Sequence, residues 1–291
     1  MGYVTDWVDA FASEPLAGNG CAVVHDAGNL TDEICIKFVR ETSLSECTFL
    51  EPSKKADVKV RYFLASGEIP FAGHPTVATV LSLLHQGKIA GGPLTLETGA
   101  GIIPIRIDHS SGKPKVVMTQ IAPEIGPVLD PKTIADCGSI EPTEIISPPQ
   151  IVSTGIPFCI SVVKDHSVLH KLKANPQATE IAKEKYSPTD WMEPFWVSLQ
   201  GISHGADTFS RLLMLPPNPA EDPFTGSATG AMAAYLWHHG LIKKPSLIAE
   251  QGHWMDRPGQ AHVTVLGPAE AITGVEVAGS GHVLMSGQLL L

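Results

Sequence analysis

The sequence predicts an α+β protein made of two related domains, each with a curved sheet around one apolar helix. The main observation is an internal repeat: a shift of 153 residues aligns the segment from Glu68 with the segment from Glu221. Ten of the 22 positions from 68 to 89 are then identical, where chance would give about one or two. A single long repeat indicates two homologous domains and not a solenoid of short units.

Each copy of the repeat shows the same order of local signals. An apolar stretch rich in β-branched and aromatic residues predicts a strand at 58–64 in copy one and at 209–215 in copy two. After a turn, segments 76–85 and 229–239 are apolar nearly all round, which predicts buried helices of about three turns. A glycine, the usual C-terminal stop, follows each helix. These glycines are Gly87 and Gly240.

Upstream of the repeated segments, both halves carry a glycine turn, an apolar strand and a polar helix. The strands and helices are predicted at 21–25 and 31–42 in the first half and at 159–163 and 175–186 in the second. The proline-rich stretch 141–149 is the predicted linker. We therefore place an N-terminal domain at 1–130 and a C-terminal domain at 131–278, with a last strand at 279–291 that is a candidate to return to the first domain.

Composition and charge exclude several classes of function. The 291 residues carry 20 Lys and Arg against 30 Asp and Glu, a formal net charge of −10, and contain no basic run. We therefore expect neither nucleic acid nor a membrane surface as a partner. The chain has no signal-peptide pattern and no apolar stretch long enough for a bilayer, which favours a cytoplasmic protein. Its five scattered cysteines predict reduced thiols and no disulfide framework.

The starts of the two apolar helices are candidate binding sites. They begin at Gly73-His74 and Gly226-Ser227, at equivalent positions of the repeat. The first turn of a helix offers unpaired N–H donors and a partial positive charge, which suit a carboxylate or a phosphate. If the domains face each other, both starts converge on one cleft. The alternative is that these glycines only form turns.

The polar residues beside these starts differ between the copies. His74 of copy one corresponds to Ser227 of copy two, and Ile69 of copy one is replaced by Asp222. His74, Asp222 and Ser227 could each bind a small acid or move a proton. The alternative is structural: Asp222 would brace the turn before its proline and Ser227 would cap the helix.

Glu46 is the candidate general base. It lies where an apolar strand begins, near Leu44 and Phe49, and such surroundings raise the proton affinity of a carboxylate. The alternative is a solvated glutamate at a strand edge.

Several other kinds of site have no support in the sequence. There is no H-E-x-x-H and no Cys/His spacing for zinc, so no metal is expected. No glycine-rich dinucleotide or P-loop motif occurs, so no such cofactor is expected either.

Three segments resemble signature blocks of the PhzF-like isomerases of phenazine biosynthesis. They are residues 45–49, 68–76 and 221–228, and weaker similarity extends over nearly the whole chain. The resemblance implies a diaminopimelate-epimerase-like fold, in which two similar domains each wrap a barrel-like sheet round a central helix, with the active site between them. It also implies acid–base isomerisation without metal or cofactor, and a homodimer.

The resemblance assigns roles to residues of this chain. Glu46 matches the proton-shuttling glutamate, and the remaining matches are substrate-holding or proton-relay positions. The predicted catalytic residues are Glu46, His74 and Asp222. The predicted substrate-binding residues are Asn19, Gly73, Gly226 and Ser227. Two neighbours of the site depart from the family pattern: Gly20 stands where Pro is usual, and Cys47 where Thr is usual.

The leading functional hypothesis is a cofactor-independent isomerase that moves a proton or double bond on a small carboxylate, with a cyclic one favoured. One alternative is an amino-acid racemase or epimerase, and another is a carboxylate-binding module without turnover. Racemases of this fold typically use two cysteines just before the helix glycines, where this chain has Ala72 and Thr225. A two-thiol mechanism is therefore excluded.

Overall fold

The two copies of the sequence repeat fold into two similar halves. In the computed structural model, described for residues 2–110, 112–186 and 191–291, each half has one long buried helix that strands of the sheet surround. The helices are α1 (Asp32–Thr42), α2 (Gly73–His85), α3 (Pro131–Gly138), α4 (His166–Lys171), α5 (Pro176–Lys185) and α6 (Gly226–His238). Short 3-10 turns lie at Pro142–Glu144 and His253–Met255.

The strands fall into two sets with the same order. The first nine are β1 (Gly2–Ala10), β2 (Asn19–Val24), β3 (Glu46–Glu51), β4 (Val58–Leu64), β5 (Gly67–Ile69), β6 (Leu94–Thr98), β7 (Gly101–Asp108), β8 (Lys115–Gln120) and β9 (Glu124–Val128). The other nine are β10 (Gln150–Ser153), β11 (Pro157–Val163), β12 (Met192–Ser198), β13 (Thr208–Leu213), β14 (Glu221–Asp222), β15 (Ser246–Gln251), β16 (Gly259–Leu266), β17 (Gly274–Gly279) and β18 (Gly281–Leu290).

The pairings form one sheet with an internal two-fold pattern. One half runs β18-β1-β2-β3-β4-β6-β7-β8, and the other runs β9-β10-β11-β12-β13-β15-β16-β17. Parallel pairs occupy matching places: β2–β3 corresponds to β11–β12, and β4–β6 to β13–β15. The halves join where β8 pairs with β17 in antiparallel register. This repeated order is the α+β fold class that the sequence predicts.

The outermost strand of each half comes from the part of the chain that otherwise forms the other half. The last strand, β18, pairs with β1 in the first half. β9 pairs with β10 in the second half, although it precedes the predicted boundary at residue 130. The limits of the two domains remain a prediction. The pairing shows that β9 and β18 each join the half that the rest of their own segment does not form.

The buried helices α2 and α6 are the centres of the two halves. Both have 13 residues and start 153 positions apart, three residues before the predicted segments 76–85 and 229–239. They extend to Gly73 and Gly226 because a first turn needs no N–H partner within the helix, so glycine and proline are accepted there. Gly87 and Gly240 follow the helices with φ of 64° and 65°, a conformation that favours glycine. The predicted stops are confirmed.

The polar helices are also as predicted, with their caps. Thr31 caps α1 and Asn175 caps α5, each by accepting a hydrogen bond from a backbone N–H of the first turn. Helices α3 and α4 were not predicted, although Asp130 and Asp165 before them are typical N-caps. The predicted linker 141–149 contains a 3-10 turn and is tied to β11 through the backbone.

The five cysteines are free and buried, as predicted for reduced thiols. Burial raises the pKa of the Cys47, Cys159 and Cys35 thiols to about 12, so they stay protonated and unreactive at neutral pH. In the described parts of the chain, no helix has both the length and the apolar character that crossing a membrane requires.

Candidate active site

Glu46 lies at the start of β3, where the chain enters the first sheet. Helix α1 ends in a left-handed turn at Ser43, and β3 then runs parallel to β2 with Glu46 opposite Cys21. The Glu46 side chain is 14% exposed, and its neighbour Cys47 is fully buried. The alternative of a solvated glutamate at a strand edge is therefore wrong.

The surroundings of Glu46 favour its protonated form. Burial raises its pKa well above the ordinary value, and the negative charge of Asp222 raises it further. Within the described chain, its Oε2 has no hydrogen-bond partner. A carboxylate with this affinity and a free oxygen is a stronger base than an ordinary glutamate.

His74 is the second residue of α2 and lies beside Glu46. Its Nδ1 is 3.7 Å from Glu46 Oε2 and 3.0 Å from Asn19 Nδ2. The Asn19 amide nitrogen has two hydrogens, and its shorter contacts with Asp222 Oδ1 and the Phe224 carbonyl oxygen use both. The contact with His74 therefore leaves both tautomers of the neutral ring open. Burial lowers the pKa of His74 to about 4, against the opposing charge of Asp222. His74 is therefore neutral near pH 7, and its buried Nε2 has no partner in the described residues.

Asn19 connects the two halves. It opens β2, and its Nδ2 lies 2.7 Å from Asp222 Oδ1 and 2.9 Å from the carbonyl oxygen of Phe224. Ser45 Oγ donates to Asn19 Oδ1 over 3.3 Å. The structure thus gives this predicted substrate-binding residue a full set of protein partners, and a positioning role between Asp222 and His74.

Asp222 lies in β14, at the position that Ile69 of β5 occupies in the first half. The equivalence is structural as well as sequential, since Asp222 is opposite Leu212 and Ile69 is opposite Tyr62. Asp222 Oδ2 accepts a hydrogen bond of 2.6 Å from Thr225 Oγ1. The carboxylate therefore braces the turn into α6, as the structural alternative proposed, while it also faces Glu46 and His74.

The N-termini of α2 and α6 meet directly. A Cβ on Gly73 would overlap the backbone of Gly226 and the nitrogen of Ser227, and a Cβ on Gly226 would lie 2.9 Å from the Phe11 ring. Only glycine allows this approach. The convergence that the sequence predicted on condition of facing domains is confirmed. Ser227 lies in the first turn and is buried, while Thr225 is the N-cap, so the capping alternative for Ser227 is wrong.

Two buried glutamines support the second helix start, although neither was predicted as a site residue. Gln251 accepts from the Thr225 N–H and donates to the Asp222 carbonyl, over 3.0 and 2.7 Å. Gln120 donates to the Gly226 carbonyl over 3.0 Å. A signal for Gln120 exists: Gly230 lies inside the apolar helix α6, and a Cβ there would overlap the Gln120 amide.

Arg257 fixes the loop that precedes Asn19. Its guanidinium donates to Asp9 Oδ1 over 2.7 Å and to the Gly18 carbonyl over 2.9 Å. Behind the helix starts, the rings of Phe11 and Phe224 stack with centroids 4.4 Å apart. Both contacts cross between the halves and hold the site's two sides in register.

The arrangement brings together all seven residues predicted for the site. It presents one carboxylate with raised proton affinity, one neutral imidazole N–H and two adjoining helix starts. Such a set can remove a proton from carbon and stabilise the negative charge that develops. Among the described residues, no group of three or more His, Cys, Asp or Glu side chains could hold a metal ion.

A family model decides the relationship of this chain to known proteins. The model described as phenazine biosynthesis-like protein, PhzC-PhzF, matches residues 8–287. The chain belongs to the PhzF family. The predicted resemblance is confirmed over nearly the whole sequence.

Named relatives give the class of activity. The chain is 30% identical over 295 residues to the trans-2,3-dihydro-3-hydroxyanthranilate isomerase of Pseudomonas aeruginosa, with 98% of each chain covered. The crystal structure of a PhzF-family phenazine biosynthesis protein from Bacillus anthracis has a TM-score of 0.86 and 26% identity, over 100% of both chains. The protein is therefore an isomerase of the PhzF family.

A more distant structure extends the fold to epimerases. A hydroxyproline epimerase from Agrobacterium vitis, with bound trans-4-hydroxy-L-proline, has a TM-score of 0.68 and 14% identity over 99% of this chain and 91% of its own. At this identity the likeness concerns the fold alone. The predicted epimerase-like fold class is confirmed.

Proposed function

We propose that this isomerase moves a proton between two carbon atoms of a small carboxylate, with Glu46 as the only carrier and without a cofactor. The observation that supports this most is the state of Glu46, buried, with a raised pKa and a free Oε2 beside His74. Because the same group must accept and return the proton, a pKa between those of an ordinary carboxylic acid and a carbon acid serves both steps.

The proposed reaction has two steps. In the first, the Glu46 carboxylate takes a proton from a carbon next to a double bond, and the electron pair left behind spreads over the conjugated system. In the second, the Glu46 carboxylic acid returns this proton to another carbon, and the double bond has moved. The ring N–H of neutral His74 and the N–H groups at Gly73 and Gly226 would stabilise the negative charge meanwhile.

The helix starts suit a substrate that carries a carboxylate. Two adjoining first turns provide N–H donors and positive partial charge at one point. Asp222, held by Asn19 and Thr225, offers a negative group for an amine or hydroxyl of the substrate. The name of the Pseudomonas relative describes a cyclic carboxylate with both of these groups. We propose a substrate of that class.

An epimerase is the second candidate in this fold, and the side chains support it less. Epimerisation by two bases needs a proton donor and an acceptor on opposite faces of one carbon. The structure has Ala72 and Thr225 at the two helix starts, and both Asp222 oxygens already accept hydrogen bonds. Of the two carboxylates among the described residues of the site, Glu46 is the one with an oxygen that accepts no hydrogen bond.

The test is incorporation of deuterium from heavy water, followed by NMR. The panel contains small cyclic and amino carboxylates and includes trans-2,3-dihydro-3-hydroxyanthranilate. We expect the wild type to exchange a carbon-bound proton of at least one compound, and Glu46→Gln to be slower by about 10²–10⁴-fold because the base is lost.

The matched control is Glu51→Gln, at the other end of the same strand. Glu51 pairs with Lys59 and has no contact with the site, so this variant should exchange at nearly the wild-type rate. Undiminished exchange in Glu46→Gln would remove Glu46 from the mechanism. Binding of a panel member without exchange in the wild type would contradict the proposed reaction.

A further inference from the structure

The two-residue strand β14 brings Asp222 into the site, and its backbone alone anchors it weakly. Glu221 and Asp222 pair with the end of β13, opposite Leu213 and Leu212. Pro223 follows at once and has no N–H group to extend the pairing. Because a strand this short makes few backbone hydrogen bonds, the direction of the Asp222 carboxylate depends on side-chain contacts as well.

Arg211 of β13 holds Glu221 through two parallel hydrogen bonds. Its Nε donates to Oε1 over 2.8 Å, and its Nη2 donates to Oε2 over 2.6 Å. Its third nitrogen, Nη1, donates to the carbonyl oxygen of Leu169 in α4 over 2.6 Å. The two side chains of the pair are 13% and 14% exposed. A bidentate pair of this kind is among the strongest and most directional of polar contacts, and here it is shielded from water.

The pair lies on the face of the strands that is turned away from the site. Successive residues of a strand point to opposite faces, so Glu221 points outward when Asp222 points into the site. The Arg211 guanidinium is also 5.7 Å from the centre of the Trp254 ring, in the 3-10 turn shortly after Gln251. Gln251 in turn donates to the Asp222 carbonyl. The pair can therefore act on the site through the position of β14 and of this turn.

The first half has the same pair beside an apolar residue. Arg61 of β4 donates to the two oxygens of Glu68 over 2.9 and 2.6 Å. The next residue is Ile69, which occupies the place of Asp222. Glu68 is 39% exposed, and a further hydrogen bond of Arg61 goes to the exposed Asp32 instead of a backbone carbonyl. The halves share the arginine–glutamate pair, and the better shielded of the two stands next to the acidic residue of the site.

We propose that Arg211 and Glu221 are positioning residues that fix β14 so that the Asp222 carboxylate faces Glu46, a role that rests on the proton transfer proposed for Glu46. Neither residue is assigned to bind the substrate. Both act through Asp222, whose place beside Glu46 they maintain from the far side of the strand.

The titration of Glu46 reports where Asp222 lies. The titratable groups in electrostatic contact with Glu46 are Asp222, His74, Cys21, Cys47 and Tyr62. Burial keeps the His74 ring, the two thiols and the phenol uncharged near pH 7, because it disfavours the charged form of each. The negative charge of Asp222 adds to burial in raising the pKa of Glu46, so this pKa should fall when Asp222 moves away.

The test follows the titration of Glu46 by carbon-13 NMR of its carboxyl carbon, with the signal identified by its loss in Glu46→Gln. We expect the proton affinity of Glu46 to fall about 10-fold in Arg211→Met, because Asp222 is no longer held towards it. Loss of the arginine charge alone would act in the opposite direction, since a nearby cation lowers the pKa of a carboxyl group. The rate of deuterium exchange should fall about 10–100-fold through misplacement of the site.

The matched control is Arg61→Met, which breaks the same pair in the first half. Both variants should lower the melting temperature, but Arg61→Met should leave the titration of Glu46 as it is in the wild type. A milder second variant is Arg211→Lys, which keeps the charge and loses the two parallel hydrogen bonds. It should change the titration and the exchange rate in the same direction as Arg211→Met, by a smaller factor.

The titration needs no substrate, so it separates this proposal from the proposed function. A Glu46 titration that Arg211→Met and Arg211→Lys both leave unchanged would overturn the positioning role, and so would an equal change in Arg61→Met. A wild type that exchanges no proton of the panel would contradict the proposed function. A lowered proton affinity of Glu46 in Arg211→Met would even then show that the pair positions Asp222.

Discussion

The two halves share one architecture, but the acidic side chains that they bring to the site, Glu46 and Asp222, have opposite surroundings. In the first half, Glu46 is buried with an oxygen that no described residue contacts, and its pKa is raised. In the second half, Asp222 accepts hydrogen bonds from Asn19 and Thr225. A duplicated scaffold has thus produced one carboxylate suited to exchange a proton and one suited to stay in place. The two halves therefore differ in their side chains more than in their backbones, since Asp222 of the second half stands where the first half has Ile69.

The largest effect on stability and activity should follow when Asp222 is replaced by isoleucine, the residue at the equivalent position of the first half. In Asp222→Ile, the Asn19 amide and the Thr225 hydroxyl lose their acceptor in a buried place, at a cost of roughly 2–5 kcal/mol of unfolding free energy. We also expect isomerase activity to fall at least about 100-fold. Denaturant unfolding and the deuterium assay measure the two effects.

Asp222→Asn is the matched control for this variant. It keeps the size of the side chain and an acceptor for Asn19, so most of the stability should return. If Asp222→Ile is as stable as the wild type, the hydrogen bonds around Asp222 do not brace the turn into α6, and the contrast with Glu46 loses its basis.

The next effect compares the two helix starts. Gly73→Ala places a methyl group against the backbone of Gly226 and Ser227, which cannot move away without separating the helices. Gly226→Ala places it 2.9 Å from the Phe11 ring and 3.1 Å from the Gly73 carbonyl carbon, contacts less tight than the 2.3–2.5 Å at Gly73. We expect a loss of about 3 kcal/mol or more for Gly73→Ala and about 1–2 kcal/mol for Gly226→Ala. Equal losses in thermal or denaturant unfolding would contradict the direct backbone contact.

The sequence was sufficient for the features that depend on local pattern. The repeat and the apolar segments predicted α2 and α6, and the apolar neighbours of Glu46 predicted its raised proton affinity. The pairing of β18 with β1 agrees with the prediction that the last strand, 279–291, is a candidate to return to the first domain. The pairing of β9 with β10 was missed, because the boundary was predicted after β9, at residue 130.

The supporting residues of the site were missed for a related reason. Gln251 and Gln120 act through amide geometry across 26 and 106 positions of the chain, and a lone glutamine in a sequence does not indicate its partner. Asn19 was predicted from the family resemblance as a substrate-binding residue. Its contacts with Asp222 and Phe224 show a link between the halves, which only the assembled fold could reveal.

Glu46 should change the stability of the protein with pH in the opposite direction to a glutamate in an ion pair, whose pKa is lowered by folding. Because the folded state raises the pKa of Glu46, its contribution to stability is present below the unfolded pKa and is lost as pH rises through the folded pKa. Glu46→Gln should therefore be more stable than the wild type at neutral and higher pH. Their difference in melting temperature should shrink towards pH 4, where both folded and unfolded Glu46 are largely protonated.

The same pKa governs activity. The wild-type rate should rise with pH through a limb above the usual glutamate range, as Glu46 becomes a carboxylate. His74, with a pKa of about 4, stays neutral over that limb. A rise of the rate near pH 4, or a Glu46→Gln variant less stable than the wild type at pH 8, would contradict the raised pKa of Glu46. Glu46 would then be stabilised as a carboxylate, and the contrast between the two acidic groups would be lost.

The smallest effect should come from a feature that the halves share. Gly87 and Gly240 end α2 and α6 with nearly the same positive φ, and a Cβ on either would meet no atom within 4 Å. Gly87→Ala and Gly240→Ala should each cost about 1–2 kcal/mol, from backbone strain alone, and leave the deuterium exchange rate unchanged. Equal losses here, beside unequal losses at Gly73 and Gly226, would locate the divergence of the two halves at the helix starts. A difference of more than about 1 kcal/mol between the two stops would mean that the divergence extends to the far ends of the helices, where the structure shows none.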